Sequence, residues 1–155
     1  MSENAFFKTV LNKAMAECSR REFCSEDIRN KLALWGVEIN DAEKIIGVLI
    51  SEKFIDESRY ASAFVRDKFK YNKWGKVKIA AHLRAKKLPS DVIKSSLDSI
   101  EDEQYKKSLR ELIESHRRSV KAKNQYDLKA KLLRYGLSKG FESNLLYDIL
   151  NDLET

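Results

Sequence analysis

The sequence predicts an all-helical protein of three tandem three-helix repeats that form an elongated, curved rod. Three observations lead to this fold. Nearly every window has apolar residues three or four positions apart, and few runs alternate apolar and polar residues as strands do. One proline and five glycines in 155 residues leave few helix breakers. A similar pattern of helices and turn residues also recurs at intervals of about fifty residues.

The first predicted repeat covers residues 1–55 and begins with a long helix over residues 3–19. The apolar stripe of this helix contains Phe6, Val10, Leu11 and Met15. Ser25 is a suitable N-cap for a second helix, and acidic residues follow it. Gly36 is suited to the left-handed conformation that ends this helix. Asp41 then begins a third helix.

The second predicted repeat covers residues 56–100. Asp56 is interpreted as the N-cap of a long helix over residues 57–72. Gly75 begins the middle helix, which ends at Lys87 and Leu88. Pro89 follows, at a place where a first-turn proline is tolerated in the third helix.

The third predicted repeat covers residues 101–155, with a long helix over residues 101–120. Its middle helix runs from Asn124 to Lys139. Either Gly136 or Gly140 matches Gly36 as the residue that ends the middle helix. Gly140 is preferred, because Gly136 lies where the apolar spacing is still helical. Three units this small are expected to stack against their neighbours.

Positive charge is concentrated in two parts of the chain. Residues 66–87 contain nine Lys or Arg and one acid, and residues 106–139 contain eleven and three, whereas the whole chain has a net charge of +6. If the basic helices share a face, the rod carries a positive band. Such a band favours binding to nucleic acid or to an acidic protein surface. The alternative is an ordinary solvated helical surface.

The candidate binding residues lie on these two segments. Those of the second repeat are Arg66, Lys70, Lys73, Trp74, Lys76, Lys78, Arg84, Lys86 and Lys87. Those of the third repeat are Arg117, Arg118, Lys121, Lys123, Lys129, Lys131 and Arg134. Lys and Arg meet phosphates through charge, without sequence information. Tyr71 and Trp74 are suited to stacking on a base, although Trp74 equally suits packing in the helix corner.

Other functional classes find little support in the sequence. His82 and His116 have no Cys or Ser partner at a recognisable spacing, and no Gly-rich phosphate loop or metal-ligand cluster occurs. We therefore expect no enzyme activity, no cofactor and no metal. No signal peptide or membrane-spanning run is recognised, so we expect a cytoplasmic monomer that does not bind membranes, with Cys18 and Cys24 reduced.

The central segment resembles a known family. Residues 54–61 (FIDESRYA), 64–66 (FVR), 74–79 (WGKVKI) and 83–87 (LRAKK) are similar to the central signature of the RecX family. Residues 25–36, and residues 133–135 together with 139–141, resemble its flanks. The likeness covers about residues 5–153. Two turns depart from the family pattern. The corner after the first helix of the second repeat has one glycine, Gly75, where the family often has two, and Leu88 follows Lys87 where the family often has glycine.

This resemblance implies a helical crescent that binds the RecA recombinase filament along its groove. It also implies inhibition of strand exchange and of the filament's ATPase. The expected partners are RecA and single-stranded DNA, with double-stranded DNA as a further candidate. Two alternatives stay open, a helix-turn-helix DNA-binding protein and a helical adaptor without a nucleic-acid role. The middle helix of the second repeat lacks Asn, Gln and Ser, which argues against reading of base edges.

Overall fold

The computed structural model describes residues 2–153, with side chains from residue 4 onward. Helices make up most of this range, and no strand occurs within it. In chain order the helices are α1 (Ser2–Arg20), α2 (Ser25–Leu34), α3 (Ile39–Ser51), α4 (Glu57–Lys70), α5 (Lys76–Ala85), α6 (Ser90–Asp98), α7 (Asp102–Arg117), α8 (Gln125–Ser138) and α9 (Ser143–Asp152). The predicted all-helical fold is confirmed, although α4 and α7 end before the predicted residues 72 and 120.

Three hydrophobic clusters divide the helices into unit 1 (α1–α3), unit 2 (α4–α6) and unit 3 (α7–α9). Ile28 and Leu49 are fully buried in the first cluster, Ile79 and Leu83 in the second, and Leu109 in the third. Burying a side chain of this size stabilises a fold by about 1.5–3 kcal/mol. Each unit therefore has a small core of its own.

The apolar stripe of α1 differs from the prediction at its first residue. Phe6 is about half exposed, whereas Phe7 packs against the core of unit 1. Val10 and Ala14 are buried on the same face of the helix as Phe7. Phe6 lies at the edge of this face, about 100° around the helix from Phe7.

The turn between the second and third helix has the same backbone geometry in all three units. Gly36, Lys87 and Gly140 have φ values of 81°, 62° and 92°. The next N–H donates to the carbonyl five residues earlier in each case, as Phe141 does to Gly136 at 3.2 Å. These bonds form a Schellman motif. Gly140 is therefore the counterpart of Gly36, as predicted.

The starts of three helices, α2, α5 and α6, agree only partly with the sequence analysis. Cys24, not Ser25, is the N-cap of α2, and Ser25 is its first helical residue. Cys24 and Asp27 form a capping box, in which the N–H of Cys24 donates to the Asp27 carboxylate at 3.4 Å, and the N–H of Ser25 donates to Glu57 of unit 2 at 3.0 Å. Gly75 is the N-cap of α5, and Pro89 is the N-cap of α6 rather than a first-turn residue.

Unit 1 and unit 2 are joined through the start of α2. Cys24 is fully buried, and it belongs to the core of unit 2 although it precedes a helix of unit 1. Lys86 forms an ion pair with Asp27, and Arg59 pairs with Glu22 at 2.6 Å. Apolar and ionic contacts together fix this junction.

Unit 2 and unit 3 are joined through the start of α5. The N–H of Gly75 donates to the Lys139 carbonyl at 2.7 Å, and the N–H of Val77 donates to the Gly140 carbonyl at 2.9 Å. The hydroxyl of Tyr105 accepts the N–H of Lys76 at 2.9 Å. Helix α5 thus completes its first-turn hydrogen bonds with groups from the next unit, which orients the two units.

Candidate nucleic-acid interface

The predicted binding residues differ in how far they are available to a partner. Nine of them are exposed and lie around the end of α4, on and just after α5, and from the end of α7 into α8. They are Arg66, Lys70, Lys73, Arg84, Lys87, Arg118, Lys121, Lys123 and Arg134. Trp74, Lys76, Lys78, Lys86, Arg117, Lys129 and Lys131 are half-buried. Whether both groups face the same side of the rod stays a prediction.

Trp74 closes the corner between α4 and α5. Its ring lies 4.6 Å from the ring of His82 and meets the ring of Phe64 edge-on at 6.3 Å. The ammonium groups of Lys68 and Lys78 lie 5.0 and 4.5 Å from the centre of the indole. Such cation–π contacts hold the two lysines at the corner. The packing interpretation of Trp74 therefore has direct structural support.

Tyr71 is the aromatic side chain at this corner that a ligand can reach. It is 71% exposed, and it follows the last helical residue of α4. The ammonium group of Lys70 lies 5.4 Å from the centre of its ring. A ring beside a cation suits an unpaired base and its phosphate, because the base stacks while the phosphate is neutralised.

A groove of about 490 Å³ lies between α4 and α7, where unit 2 meets unit 3. Its apolar lining comes from Val65, Phe69 and Ile100. Its basic lining residues are Arg66, Lys70, Lys73 and Lys107, and its acidic ones are Glu101 and Glu111. Cations from two units thus border one concave, partly apolar surface, a combination that suits an anionic ligand with an apolar part.

Lys107 was missed by the sequence analysis. It lies on α7 among acids and other cations, and no local pattern distinguishes it. Its place in the groove depends on the packing of α7 beside α4, which is a tertiary feature.

Three of the predicted residues hold the units together. Lys86 pairs with Asp27, and this hydrogen bond raises the pKa of the Lys86 ammonium group. Lys87 lies 3.7 Å from the carboxylate of Glu26. The ammonium group of Lys76 lies 4.8 Å from the centre of the Tyr105 ring. The positive charges of these three lysines are therefore partly engaged in contacts within the protein.

Several cations of unit 3 also contact neighbouring groups. Arg117 approaches Glu114 at 3.5 Å, and Lys129 donates to the side chain of Asn151 at 3.3 Å. Lys131 pairs with Asp127 at 3.2 Å and donates to the Lys121 carbonyl at 2.6 Å. The hydrogen bond from Lys131 to the Lys121 carbonyl ties α8 to the preceding loop, which carries the exposed Lys121 and Lys123.

No helix within residues 2–153 is both long and apolar enough to cross a bilayer. Within the same range, no group of three or more His, Cys, Asp or Glu side chains is arranged to hold a metal ion.

Sequence comparisons connect the chain to known proteins. The family model for the second three-helix domain of RecX matches residues 56–97, which correspond to unit 2. Regulatory protein RecX of Clostridium botulinum (strain Eklund 17B / Type B) is 33% identical over 129 residues, covering 82% of this chain and 60% of that protein. Regulatory protein RecX of Clostridium perfringens (strain 13 / Type A) is 26% identical over 155 residues, covering 99% of this chain and 70% of that protein. The chain therefore spans 60% to 70% of the length of these relatives.

Solved structures share the fold. A crystal structure of regulatory protein RecX matches with a TM-score of 0.86 at 22% identity, covering 94% of this chain and 71% of the other. The crystal structure of RecX from Lactobacillus salivarius matches with a TM-score of 0.83 at 20% identity, covering 99% of both chains. The family model, the sequence relatives and the shared helical repeat fold agree, and the chain belongs to the RecX family of regulatory proteins.

Proposed function

We propose that this protein is a non-enzymatic regulator, acting mainly as an inhibitor, of the RecA recombinase. It binds in the cytoplasm along the groove of the RecA–single-stranded DNA filament. There it slows ATP turnover and strand exchange. Residues 1–55, 56–100 and 101–155 serve as three successive binding repeats, and the basic surface also permits contact with double-stranded DNA.

The observation that carries this proposal is the groove between α4 and α7. Arg66, Lys70 and Lys73 of unit 2 line it together with Lys107 of unit 3. Phosphates of a DNA strand and acidic side chains of a protein are both attracted to such a cluster. The apolar lining provides a second kind of contact, which suits a nucleoprotein more than bare DNA.

The junctions between units support binding to an extended partner. Backbone hydrogen bonds from Gly75 and Val77 fix unit 3 on unit 2, and the Lys86–Asp27 pair connects unit 2 with unit 1. Because the three units are held at fixed distances from one another, the protein loses little conformational entropy when several units bind one filament. Partners longer than one unit are therefore favoured over short peptides.

The decisive experiment measures RecA ATPase activity and strand exchange on single-stranded DNA with increasing amounts of the protein. We expect both rates to fall at stoichiometric or lower doses, and to fall less at about 200 mM salt than at about 50 mM, because phosphate contacts release counterions. Unchanged rates at equimolar protein and RecA, under conditions where the protein is folded, would reject the regulator.

The second candidate function is that of a helix-turn-helix protein that recognises a specific DNA sequence. Affinities of the purified protein for different DNA duplexes test it. Helix α5 presents Lys78, His82 and Arg84 but no Asn, Gln or Ser. We therefore expect affinities for unrelated DNA duplexes to agree within a few fold. A preference of a thousandfold for one duplex would favour the second candidate instead.

A further inference from the structure

The floor of the groove between α4 and α7 lies where the cores of two units meet. Phe69 and Ile100 line the groove, and each packs against the hydrophobic cluster of unit 2 and against that of unit 3. The ring of Phe69 also lies 5.8 Å from the ring of buried Tyr105. Because the packing of both units holds this floor in place, the groove is already formed before a partner binds.

The two walls of this groove differ in charge. The charged residues that line the wall formed by α4 and the corner after it are all cations, namely Arg66, Lys70 and Lys73. The wall formed by α7 has a net negative charge, because Glu101 and Glu111 line it together with a single cation, Lys107. A ligand in the groove therefore meets positive charge on one side and mainly negative charge on the other.

The two acids of the α7 wall are available to a ligand. Glu101 and Glu111 are exposed, and neither carboxylate forms an ion pair or a hydrogen bond with another residue of the described range. Their charges would repel the phosphates of a DNA strand lying in the groove. They would attract a basic side chain of a protein, while the cations of α4 attract an acidic one. The unlike walls therefore favour a protein ligand over a nucleic acid.

A helix fits this groove better than an extended peptide does. An extended segment leaves its backbone N–H and C=O groups in need of partners, which the edge of a sheet commonly provides. No strand occurs within residues 2–153, so no sheet edge of that range borders the groove. A helix satisfies its own backbone groups and presents an apolar stripe between two polar flanks. The two flanks can carry opposite charges, as the two walls require.

We propose that the groove between α4 and α7 binds an amphipathic helix of the protein component of the filament, and not its DNA strand. The apolar stripe of this helix lies on Phe69 and Ile100. Its acidic flank faces the cations of α4, and its basic flank faces the two acids of α7. Because reversal of the helix would exchange its flanks, the unlike walls also fix the direction in which it binds. This inference deepens the proposed function and rests on it, since the bound helix is assigned to RecA.

Reversal of the two acids gives opposite results for the two kinds of ligand. Glu101→Lys/Glu111→Lys should weaken binding to the RecA–single-stranded DNA filament about tenfold relative to its control, because the basic flank of the helix would then be repelled. A DNA strand in the groove would instead be bound more tightly. The control is Glu38→Lys/Asp148→Lys, which makes the same change of net charge outside the groove. Glu38 is a helix N-cap without a side-chain cap bond, as Glu101 is, and Asp148 is exposed within α9.

Filament co-sedimentation at fixed salt measures these affinities, and fluorescence anisotropy measures binding to single-stranded DNA without RecA. On bare DNA we expect the groove variant and its control to bind alike. Filament or bare DNA bound by the groove variant as tightly as by its control in the first case, or more tightly in the second, overturns the inference. The proposed function then still stands if the wild type binds the filament and slows ATP turnover. A wild type that does not bind the filament rejects both.

A photoreactive benzoylphenylalanine at position 104 identifies the ligand directly and does not require the acid variants to fold. Gln104 is exposed and lines the groove. We expect cross-links to RecA, at a peptide whose apolar, acidic and basic residues recur at helical spacing. The same group in place of exposed Tyr147, outside the groove, should not reach that peptide. Cross-links to DNA, or none from filament-bound protein, overturn the inference.

Discussion

Gly75 and Gly140 are in direct backbone contact across the junction between unit 2 and unit 3. A methyl group on Gly75 would overlap the carbonyl of Gly140, and one on Gly140 would overlap Lys78. The α8–α9 turn can therefore lie against the start of α5 only because both residues lack a side chain. This contact sets the position of unit 3, and thereby the groove between α4 and α7.

Gly75→Ala should destabilise the protein by about 2–4 kcal/mol, since the overlapping atoms belong to backbone that cannot move aside cheaply. The free energy of urea unfolding measures the effect. Gly47→Ala is the matched control, because a methyl there meets nothing within 4 Å and Gly47 lies inside α3. The control should gain about 0.5–1 kcal/mol. Similar stabilities for the two variants would contradict the close approach.

Tyr105→Phe should loosen the same junction. The hydroxyl of Tyr105 donates to Glu142 and accepts the N–H of Lys76, so its removal leaves two half-buried polar groups without a partner. We expect a loss of about 1–3 kcal/mol in unfolding free energy. Tyr147→Phe removes an exposed hydroxyl and should change stability by less than about 0.5 kcal/mol. Equal effects in the two variants would argue against a structural role for the Tyr105 hydroxyl.

Cys24 should make stability fall at alkaline pH. Burial raises the pKa of its thiol to about 11, whereas an unfolded cysteine titrates near about 8.5. The unfolded chain therefore releases this proton at a lower pH than the folded chain does. The contribution of Cys24 to the unfolding free energy is fully present below about pH 8.5 and is lost as the pH rises toward 11. The loss is at most about 1.4 kcal/mol per pH unit. Urea midpoints at pH 7.5 and 9.5 measure the loss. Cys24→Ala should start less stable but show a smaller loss, and an unchanged pH dependence would exclude Cys24 as its source.

Lys86→Glu should weaken the junction between unit 1 and unit 2. The new carboxylate would face Asp27, whose side chain is mostly buried. We expect a loss of about 1–2 kcal/mol, measured as a lower urea midpoint. Lys94→Glu breaks an exposed pair with Asp98 and serves as the control, with a change below about 1 kcal/mol. A larger effect in the control would mean that the Lys86–Asp27 pair adds little.

Lys70→Glu/Lys107→Glu should reduce binding to the RecA–DNA filament at least tenfold while the helical circular dichroism stays unchanged. Both residues line the groove and are exposed, so reversal changes its charge without removing a core contact. Lys8→Glu/Lys44→Glu makes the same change of net charge on exposed positions of unit 1. Filament co-sedimentation at fixed salt compares them. Equal losses in both variants would point to overall charge rather than to the groove.

Local features of the fold followed from the sequence because they depend on neighbouring residues. The apolar spacing predicted the helices, and Asp56 caps α4 through the N–H of Arg59 as expected. Gly36 and Gly140 adopt the left-handed conformation that was predicted for them. Even so, the Schellman turn at Lys87 forms without glycine. Phe6 was placed in the core because spacing alone does not give the centre of an apolar face.

Long-range features required the tertiary structure. Cys24 lies in the core of unit 2 although its neighbours in sequence belong to unit 1, and Tyr105 supplies a hydrogen bond to a residue 29 positions away. Lys107 joins the groove only because α7 packs beside α4. Periodicity and turn chemistry, which act over a few residues, determined the helices and the concentration of charge. The contacts between units act over sequence separations that no local pattern records. Only the folded chain therefore decided which cations pair with acidic side chains, which pack on aromatic rings and which remain available to a partner.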